Sequence, residues 1–390
     1  MIKGFLNSPT LLPGKGIVKT NVILDGDTIK SISSTPLTIS KEDFIELPED
    51  LILVPGFIDE HIHGSDGVDT MEGTFSSLHL IATSLLQDGV TSFCPTTMSM
   101  NKESILKALS NIHNYIHNDP QDGSRVLGAH LEGPFISKTF KGAQDEKDII
   151  PCDVSLFKSF QTACPEIKIV TFAYEENGDE LLEYMVKENI TASIGHSNCC
   201  SKMLEKGIEK GISCATHTFN AMSPLHHREI GTVGGVLFSD TLRCELIADL
   251  IHVSPNAIKL LHKCADNRLI LITDSMEAKH KKEGIYSLGG QKVIVKEGAA
   301  RLENGTLAGS ILTMPQALKN MKETLNESFE NLINMASIIP AKNLKIDDTY
   351  GSIEVGKKAD FVVIDSSFNV KATIVGGKIL YKEEEMTCLQ

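Results

Sequence analysis

Leu51-Ile-Leu-Val-Pro-Gly-Phe-Ile-Asp-Glu-His-Ile-His63 begins as an apolar run, passes through a Pro-Gly turn and ends in acidic residues and histidines. Alternate residues of a β-strand face the same side, so on one strand His61 and His63 would direct their imidazoles to the same point. Two convergent neutral imidazoles are a good beginning for a metal site. An exposed strand with two polar side chains would show the same pattern. Whether the rest of the chain supplies further ligands therefore decides between a metal site and a polar strand face.

The chain beyond this stretch alternates strand and helix patterns. Eight strands between residues 57 and 273 fit a (β/α)8 TIM-like barrel in the α/β class. An open doubly wound sheet is the alternative, but no Gly-x-Gly-x-x-Gly follows the first strand to favour it. The predicted strands are 57–62, 90–94, 126–131, 167–172, 190–194, 213–216, 244–248 and 269–273. Apolar residues at intervals of three and four predict helices at 74–87, 102–117, 178–188, 201–210 and 255–265.

Both ends of the chain have β character. Residues 17–32 predict a hairpin about Asp25-Gly26, and residues 372–381 predict two strands about Gly376-Gly377, after a strand at 359–365. We therefore expect a small β-sandwich domain built from both termini, residues 1–54 and 346–390, with the barrel, residues 55–345, inserted between them. Within the barrel segment, 286–302 predicts a hairpin, and 315–325 and 331–338 predict helices.

Composition limits the partners and the compartment. The net charge of −14 disfavours a nucleic-acid partner, whose phosphates need a basic face. No apolar run of about 18 residues predicts a membrane span, and the first residues lack the apolar core of a signal peptide. The nine cysteines are odd in number and form no Cys-x-x-Cys pair, which favours reduced thiols in the cytoplasm.

Polar residues follow most of the predicted strands. In a barrel they would share the carboxyl end of the sheet, where active sites lie. Any one of them alone is more often a simple strand-end cap, but together they form a ring of nitrogen and oxygen ligands. Such ligands are typical of a catalytic divalent metal rather than of a closed structural site, which would favour thiolates. They are His61, His63, Glu132, His196, His217, Asp249 and Asp274.

This ligand set suggests hydrolysis. Imidazoles and a carboxylate leave a coordination position open on Zn²⁺, Fe²⁺ or a similar cation, and the bound water then becomes a nucleophile near neutral pH. The reaction also needs a base, and Asp274 is the best candidate because it is a carboxylate at a strand end that faces the same centre. It could instead be a metal ligand or the N-cap of the segment that starts at Ser275.

Several motifs together resemble those of the N-acetylglucosamine-6-phosphate deacetylases, a family within the metal-dependent amidohydrolase superfamily. The resemblance covers nearly the full length. The first and last of the motifs are common to the superfamily, whereas His-Leu-Glu-Gly-Pro and Thr-His-x-x-Asn-Ala-Met are more specific to the deacetylases. The motifs are Val54-Pro-Gly-Phe-Ile-Asp-Glu-His-Ile-His63, His130-Leu-Glu-Gly-Pro134, Gly195-His-Ser197, Ala215-Thr-His-Thr-Phe-Asn-Ala-Met222, Ala248-Asp-Leu-Ile-His-Val253 and Gly351-Ser-Ile-Glu-Val-Gly-Lys-Lys-Ala-Asp360.

The resemblance implies hydrolysis of the acetamide of N-acetylglucosamine 6-phosphate, which gives glucosamine 6-phosphate and acetate. Glu132, His196 and His217 would bind the principal divalent metal, which could be Zn, Fe, Mn or Co. His61 and His63 would hold a second metal, with Glu132 as the bridge. Asp274 would act as general base and then as general acid.

The resemblance also implies a substrate site and a homodimer. Arg228 would reach into the neighbouring subunit's site, His252 would lie near the phosphate, and Leu307–Gly309 would contact the sugar through the backbone. The complete predicted set is Ala143, Gln144, Asn220, Ala221, Arg228, Asp249, His252, Leu307, Ala308 and Gly309.

Two departures from the family pattern bear on which sugar is bound rather than on which reaction is catalysed. Gln144 stands where some members have a histidine, and it cannot become an imidazolium. Leu250 replaces a common glycine and could reshape the sugar pocket. The alternatives are an N-acetylgalactosamine-6-phosphate deacetylase or another amidohydrolase, such as a dihydroorotase-like enzyme or a deaminase. A metal-free scaffold is the alternative of another class, against which the presence of His196 and His217 argues.

Overall fold

Parallel strands form the larger of the two units seen in the structure, a computed structural model that describes residues 1–35 and 43–384. Strands that follow one another in the chain pair side by side, all in parallel. They lie where the sequence predicts them, except that the third is divided into two short pieces. They are Phe57–Ile62, Val90–Pro95, Arg125–Val126, Ala129–Glu132, Ile167–Phe172, Thr191–Ile194, Ile212–Ala215, Arg243–Ile247 and Leu269–Ile272.

Backbone hydrogen bonds connect the parallel strands where the regular ladders are interrupted. Beyond the second strand, the Thr97 N–H donates to the His130 carbonyl at 3.0 Å, which reaches the third strand. Beyond the eighth strand, the Asp274 N–H donates to the His61 carbonyl at 2.9 Å, which reaches the first strand. The sheet therefore curls on itself, and the unit is a TIM-like barrel with a small β domain beside it.

Helices cover the outside of the barrel, which explains why the strands are apolar on both faces. The predicted helices at 102–117, 201–210 and 255–265 are confirmed with the same ends, and others shift by one to three residues. Val154–Ala163 and Gly231–Phe238 were not predicted. No helix of the described residues is both long enough and apolar enough to cross a membrane. The α-helices are Phe75–Ser84, Lys102–His117, Val154–Ala163, Asp179–Lys187, Ser201–Lys210, Gly231–Phe238, Pro255–Ala265, Met314–Thr324, Phe329–Met335 and Ile338–Asn343.

The small domain is one hydrogen-bonded path of strands from both ends of the chain. The predicted hairpin is confirmed, since Asp25 pairs with Thr28 across a turn in which Gly26 has a φ of 62°. Residues 36–42 and 385–390 of the predicted domain, including Cys388, lie outside the described residues. In spatial order the strands are Lys378–Lys382, Val370–Val375, Phe361–Asp365, Leu51–Pro55, Gly4–Leu12, Gly16–Asp25 and Thr28–Ser33, and Phe44–Ile45 also pairs with Gly4–Leu12.

The segment predicted as a hairpin at 286–302 is a sheet of three antiparallel strands, so that prediction was wrong in its strand count. The strands are Gly284–Leu288, Gln291–Lys296 and Ala299–Leu302. A second turn at Glu297-Gly298 was missed, and both of its residues have positive φ, at 52° and 78°. A short pair of strands, Gly64–Ser65 with Val68–Asp69, also follows the first barrel strand.

Candidate active site

Three of the predicted site residues lie where the chain leaves a barrel strand with a left-handed backbone. His196, His217 and Asp274 have φ values of 47°, 30° and 46°. Such values are uncommon outside glycine, and residues held in them cluster at functional sites. All three side chains line one cavity of about 230 Å³ at the carboxyl end of the barrel. The strand ends thus bring residues far apart in the sequence into a single site.

Glu132, His196 and His217 converge on one point. The Nε2 atoms of the two imidazoles are 3.1 Å apart. They lie 3.3 Å and 3.1 Å, respectively, from the same oxygen, Glu132 Oε1. All three side chains are almost completely buried. Two imidazole nitrogens and a carboxylate oxygen in this arrangement form a three-ligand centre with room for a further ligand from the cavity.

His61, His63 and Asp274 form a second group beside the first. His63 Nε2 lies 3.1 Å from Asp274 Oδ1, and His61 Nε2 lies 3.5 Å from the same oxygen. The two imidazoles do converge, as the alternation in the first strand predicts. His63 Nε2 is also 3.4 Å from Glu132 Oε2. Glu132 Oε1 is in turn 3.6 Å from His61 Nε2, so this carboxylate faces both groups and could contribute to two cations.

Hydrogen bonds from Nδ1 atoms fix how three of the imidazoles are presented. His196 Nδ1 donates to the Phe140 carbonyl at 2.9 Å, and His63 Nδ1 donates to the Thr96 carbonyl at 3.3 Å. A carbonyl only accepts, so Nδ1 carries a proton and Nε2 is the ring nitrogen that faces the centre of the site. This second layer of contacts is typical of histidines that bind metals.

Glu245 holds the remaining imidazole of the second group, and sequence reasoning did not find it. Its Oε2 accepts from His61 Nδ1 at 3.0 Å and from the His217 backbone N–H at 3.1 Å. One buried carboxylate thus touches both groups of ligands. A signal was available, because Glu245 is a single acidic residue inside the buried strand Arg243–Ile247.

Gln144 also has a role that differs from the predicted one. Its Nε2 donates to Glu132 Oε2 at 2.9 Å, and its Oε1 accepts from the Ser99 N–H at 2.7 Å. The side chain lines the cavity, so contact with a substrate remains a prediction. In the structure, however, its amide positions the carboxylate that lies between the two groups.

The charges of the site reinforce one another. Burial would raise the pKa of Asp274, but the nearby His61 and His63 imidazoles lower it to about 2. Burial would lower the pKa of His61, yet the Asp274, Glu245 and Glu132 carboxylates raise it to about 9. Burial also opposes ionisation of Glu132, whose pKa the surrounding imidazoles nevertheless hold well below its usual range. The carboxylates thus stabilise positive charge at the centre of the site.

A divalent cation fits this arrangement. His61 Nε2 is buried, and among the described residues it has no hydrogen-bond partner, although two carboxylates face it. Imidazole and carboxylate donors suit Zn, Fe, Mn and Co better than Ca or Mg. Glu132, His196 and His217 would hold the first ion, and His61 and His63 would contribute to a second.

Most of the predicted substrate residues lie around the same cavity. His252 is among them, and Asp249 fixes its ring, with 2.6 Å between Asp249 Oδ2 and His252 Nδ1. The cavity also involves residues that were not predicted, namely Met98, Gly142, Leu288 and Thr306. The predicted substrate residues that line it are Ala143, Gln144, Asn220, Ala221, His252, Leu307 and Gly309.

Besides His61, four residues singled out in the sequence do not line the cavity. Asp249 acts through His252, and Ala308 is buried behind its neighbours. Arg228 is exposed on a loop, where its Nη1 lies 2.7 Å from His227 Nε2. Leu250 packs against the main hydrophobic core with a φ of 65°, a backbone conformation that explains why glycine suits this position.

Comparisons with known proteins show the family of the chain. Residues 52–380 match the sequence profile of the amidohydrolase family. The chain is 44% identical over 351 residues to an N-acetylglucosamine-6-phosphate deacetylase of Bacillus subtilis, which covers 89% of this chain and 88% of the relative. It is 34% identical to an N-acetylgalactosamine-6-phosphate deacetylase of Escherichia coli O157:H7, with 92% and 93% covered. The crystal structure of the Thermotoga maritima N-acetylglucosamine-6-phosphate deacetylase superposes with a TM-score of 0.88 at 36% identity, with 97% and 99% covered.

Proposed function

The chain belongs to the amidohydrolase family, and we propose that it is an enzyme that hydrolyses the N-acetyl group of N-acetyl-D-glucosamine 6-phosphate. The products are D-glucosamine 6-phosphate and acetate, as in amino-sugar catabolism. The observation that carries this proposal is the position of Asp274, which shares the cavity with Glu132, His196 and His217. A proton-transferring carboxylate and a ligand set for a cation therefore face the same substrate space.

Asp274 performs the proton transfers. Glu132, His196 and His217 would hold a divalent cation, which when bound would supply an activated water and polarise the amide carbonyl. The low pKa of Asp274, about 2 despite its burial, keeps it a carboxylate that can accept a proton at neutral pH. It would take the proton of the attacking water and deliver it to the amide nitrogen as the C–N bond breaks.

The number of cations follows from the second group of ligands. Because His61 and His63 both present Nε2 toward Asp274 Oδ1, a second ion beside the first is part of the proposal. Glu132 would then bridge, with one oxygen for each ion. Zn, Fe, Mn and Co all accept such ligands, and supply in the cell selects among them.

The substrate would lie with its acetamide toward Asp274 and its phosphate toward His252. Asn220 and Ala221 line the same cavity. The Asn220 N–H already donates to the His217 carbonyl at 3.0 Å, so a contact from Asn220 to the substrate would come from its side chain. Arg228 does not line the cavity of its own chain, so any phosphate contact by its guanidinium would be made in a second subunit. The homodimer is therefore part of the proposal.

The rival sugar is N-acetylgalactosamine 6-phosphate, because a relative at 34% identity is named for it. The two sugars differ only in the configuration at C4, so the reacting amide and the phosphate would use the same residues. The walls of the sugar pocket, which include Met98 and Leu288, would then decide between them.

The experiment is a substrate panel with metal analysis of the same preparation. We expect kcat/KM to be highest for N-acetylglucosamine 6-phosphate, lower for the galactosamine analogue and lowest for N-acetylglucosamine without phosphate. A reversed order for the first two would assign the rival sugar. If the metal-loaded protein released acetate from no member of the panel, the proposed reaction would be rejected. Asp274→Asn serves as the inactive control.

The finer architecture is also proposed. We infer that the eight parallel strands close into a complete (β/α)8 barrel in residues 55–345. Residues 1–54 and 346–390 would form the small domain as a β-sandwich, supported by its separate hydrophobic cluster around Phe5, Leu53 and Phe361. A cytoplasmic location stays a prediction from the cysteine pattern.

A further inference from the structure

A second group of metal-ligating side chains lies away from the cavity. His113 and His117 are one helical turn apart in Lys102–His117, and Glu166 immediately precedes the strand Ile167–Phe172. His113 Nδ1 lies 2.9 Å from Glu166 Oε2, and His117 Nε2 lies 3.0 Å from Glu166 Oε1. The two rings meet edge to face, with centroids 4.5 Å apart. We propose that these three side chains form a surface site for a divalent transition-metal ion such as Zn²⁺.

The topology separates this group from the active site. The helix returns from the carboxyl end of the second barrel strand, so its last turn lies at the amino end of the barrel. Glu166 precedes its strand and lies at the same end. The active-site ligands follow their strands and lie at the opposite end. A cation bound here would therefore not touch the substrate.

The donors match the chemistry of the proposed ion. Two imidazoles and one carboxylate, all within 4.8 Å of one another, suit Zn²⁺, Co²⁺, Ni²⁺ or Cu²⁺ rather than Ca²⁺ or Mg²⁺. In the structure, each histidine shares a proton with Glu166 in a hydrogen bond. If an ion took the place of these protons, each ligand atom would lie about 2 Å from the ion, after small rotations of the side chains. The two histidines are partly exposed, so water would complete the coordination.

Two features of this proposed site favour the binding of a cation. His117 lies in the last turn of a 16-residue helix, where the helix dipole favours a cation, and His113 lies one turn before it. Burial acts to raise the pKa of Glu166, but its hydrogen bonds from His113 and His117 lower it, so the group is a carboxylate at neutral pH. Its backbone is held as well, because the Ala129 N–H donates to the Glu166 carbonyl at 3.0 Å.

An ion at this site would join the helix to the adjacent barrel strand. Because the ligands come from two elements that separate on unfolding, an ion bound by the folded chain alone raises its stability. The expected role is structural: Zn²⁺ should raise the thermal midpoint without changing turnover.

The test measures Zn²⁺ bound to the metal-loaded enzyme, without an affinity tag, after equilibrium dialysis against micromolar free Zn²⁺. We expect the parent protein to bind one equivalent more than His113→Gln/His117→Gln. Glutamine retains an N–H donor for Glu166 but has no imidazole lone pair, so the substitution separates hydrogen bonding from metal binding. His79→Gln is the matched control, because His79 lies on the neighbouring helix and contacts Tyr115 outside this group.

The thermal midpoint gives an independent readout. Added Zn²⁺ should raise it in the parent and in His79→Gln but not in the double variant, whose kcat should equal that of the parent. If the double variant folds poorly, Glu166→Gln should lose the same equivalent. Equal zinc content in the parent and in the folded variants, or no zinc beyond the active-site ions in the parent, would overturn the site.

Discussion

The two halves of the active site use the same kinds of ligand but are held in different ways. Glu132, His196 and His217 come from three strands and open directly to the cavity. His61 and His63 come from one strand, and His61 is fully buried behind the cavity wall, where the Glu245 carboxylate holds it. All three residues of the first half therefore face the substrate space, whereas in the second half His63 and Asp274 face it and His61 lies behind them.

Asp274 makes this difference consequential, because it belongs to the second half and also lines the cavity. If Asp274 carries the proton in catalysis, the second half has fewer side chains left to bind a metal ion than the first half has. We thus expect the first half to bind its ion more tightly, and substitutions of Asp274, of the two histidine pairs and of Glu245 test that asymmetry.

The largest effect should come from Asp274→Asn. Asparagine keeps the size of the side chain but cannot accept a proton, so turnover should fall by about 10²–10⁴-fold. The ion of the first half should remain, as measured by metal analysis beside steady-state kinetics. Asp66→Asn, at a surface ion pair with Lys281, is the control and should behave like the parent. Turnover close to that of the parent in Asp274→Asn would place the base elsewhere.

The next prediction separates the two ions. His61→Asn/His63→Asn should lose one metal ion per chain and keep the ion of the first half. His196→Asn/His217→Asn should lose the first ion, and with it all measurable turnover, because the attacking water is no longer activated. Metal analysis after dialysis against a fixed free-metal concentration compares the two. An unchanged count in His61→Asn/His63→Asn would contradict a second ion.

Glu245→Gln should weaken the second half more than the first. It replaces the charged acceptor of His61 Nδ1 with a neutral amide, and loss of such partners typically costs about 10–100-fold in metal affinity or activity. In a His61→Asn background the same substitution should add little, because the partner is already absent. Additive effects on metal affinity would mean that Glu245 acts mainly through the His217 backbone.

The smallest effect should come from Arg228→Gln. If the guanidinium reaches a neighbouring subunit's phosphate, its loss should raise KM about tenfold for the phosphorylated sugar, as one charge-assisted hydrogen bond would. KM for N-acetylglucosamine without phosphate should not change. Equal changes for both sugars would separate Arg228 from phosphate binding, and sedimentation of the parent protein reports independently on the dimer.

Much of the fold and site could be predicted from local sequence. Strand ends share one rim of a parallel barrel, so an apolar run followed by His, Glu or Asp suffices to place His61, Glu132, His217 and Asp274 together. The alternation in the first strand likewise predicts that His61 and His63 converge. These predictions need only the period of a strand and the order of the elements.

The supporting contacts could not be predicted in the same way. Glu245 and His61 are 184 residues apart. Their pairing depends on how the first and seventh barrel strands, which lie on either side of the eighth, direct side chains toward the barrel axis. Gln144 contacts Glu132 because an irregular loop folds over the cavity. The segment 286–302 was predicted to be one hairpin, although a second turn adds a third strand.

The stretch that ends in His61-Ile-His63 shows the division clearly. Its sequence alone determined an apolar strand, a turn and two imidazoles on one face, because side-chain alternation is a property of the backbone. Only the tertiary structure decided that Glu245 holds one ring and the Thr96 carbonyl the other, and that Glu132 lies between this pair and a second pair of histidines. Hydrogen bonds across the barrel depend on distances between strands that no local pattern encodes.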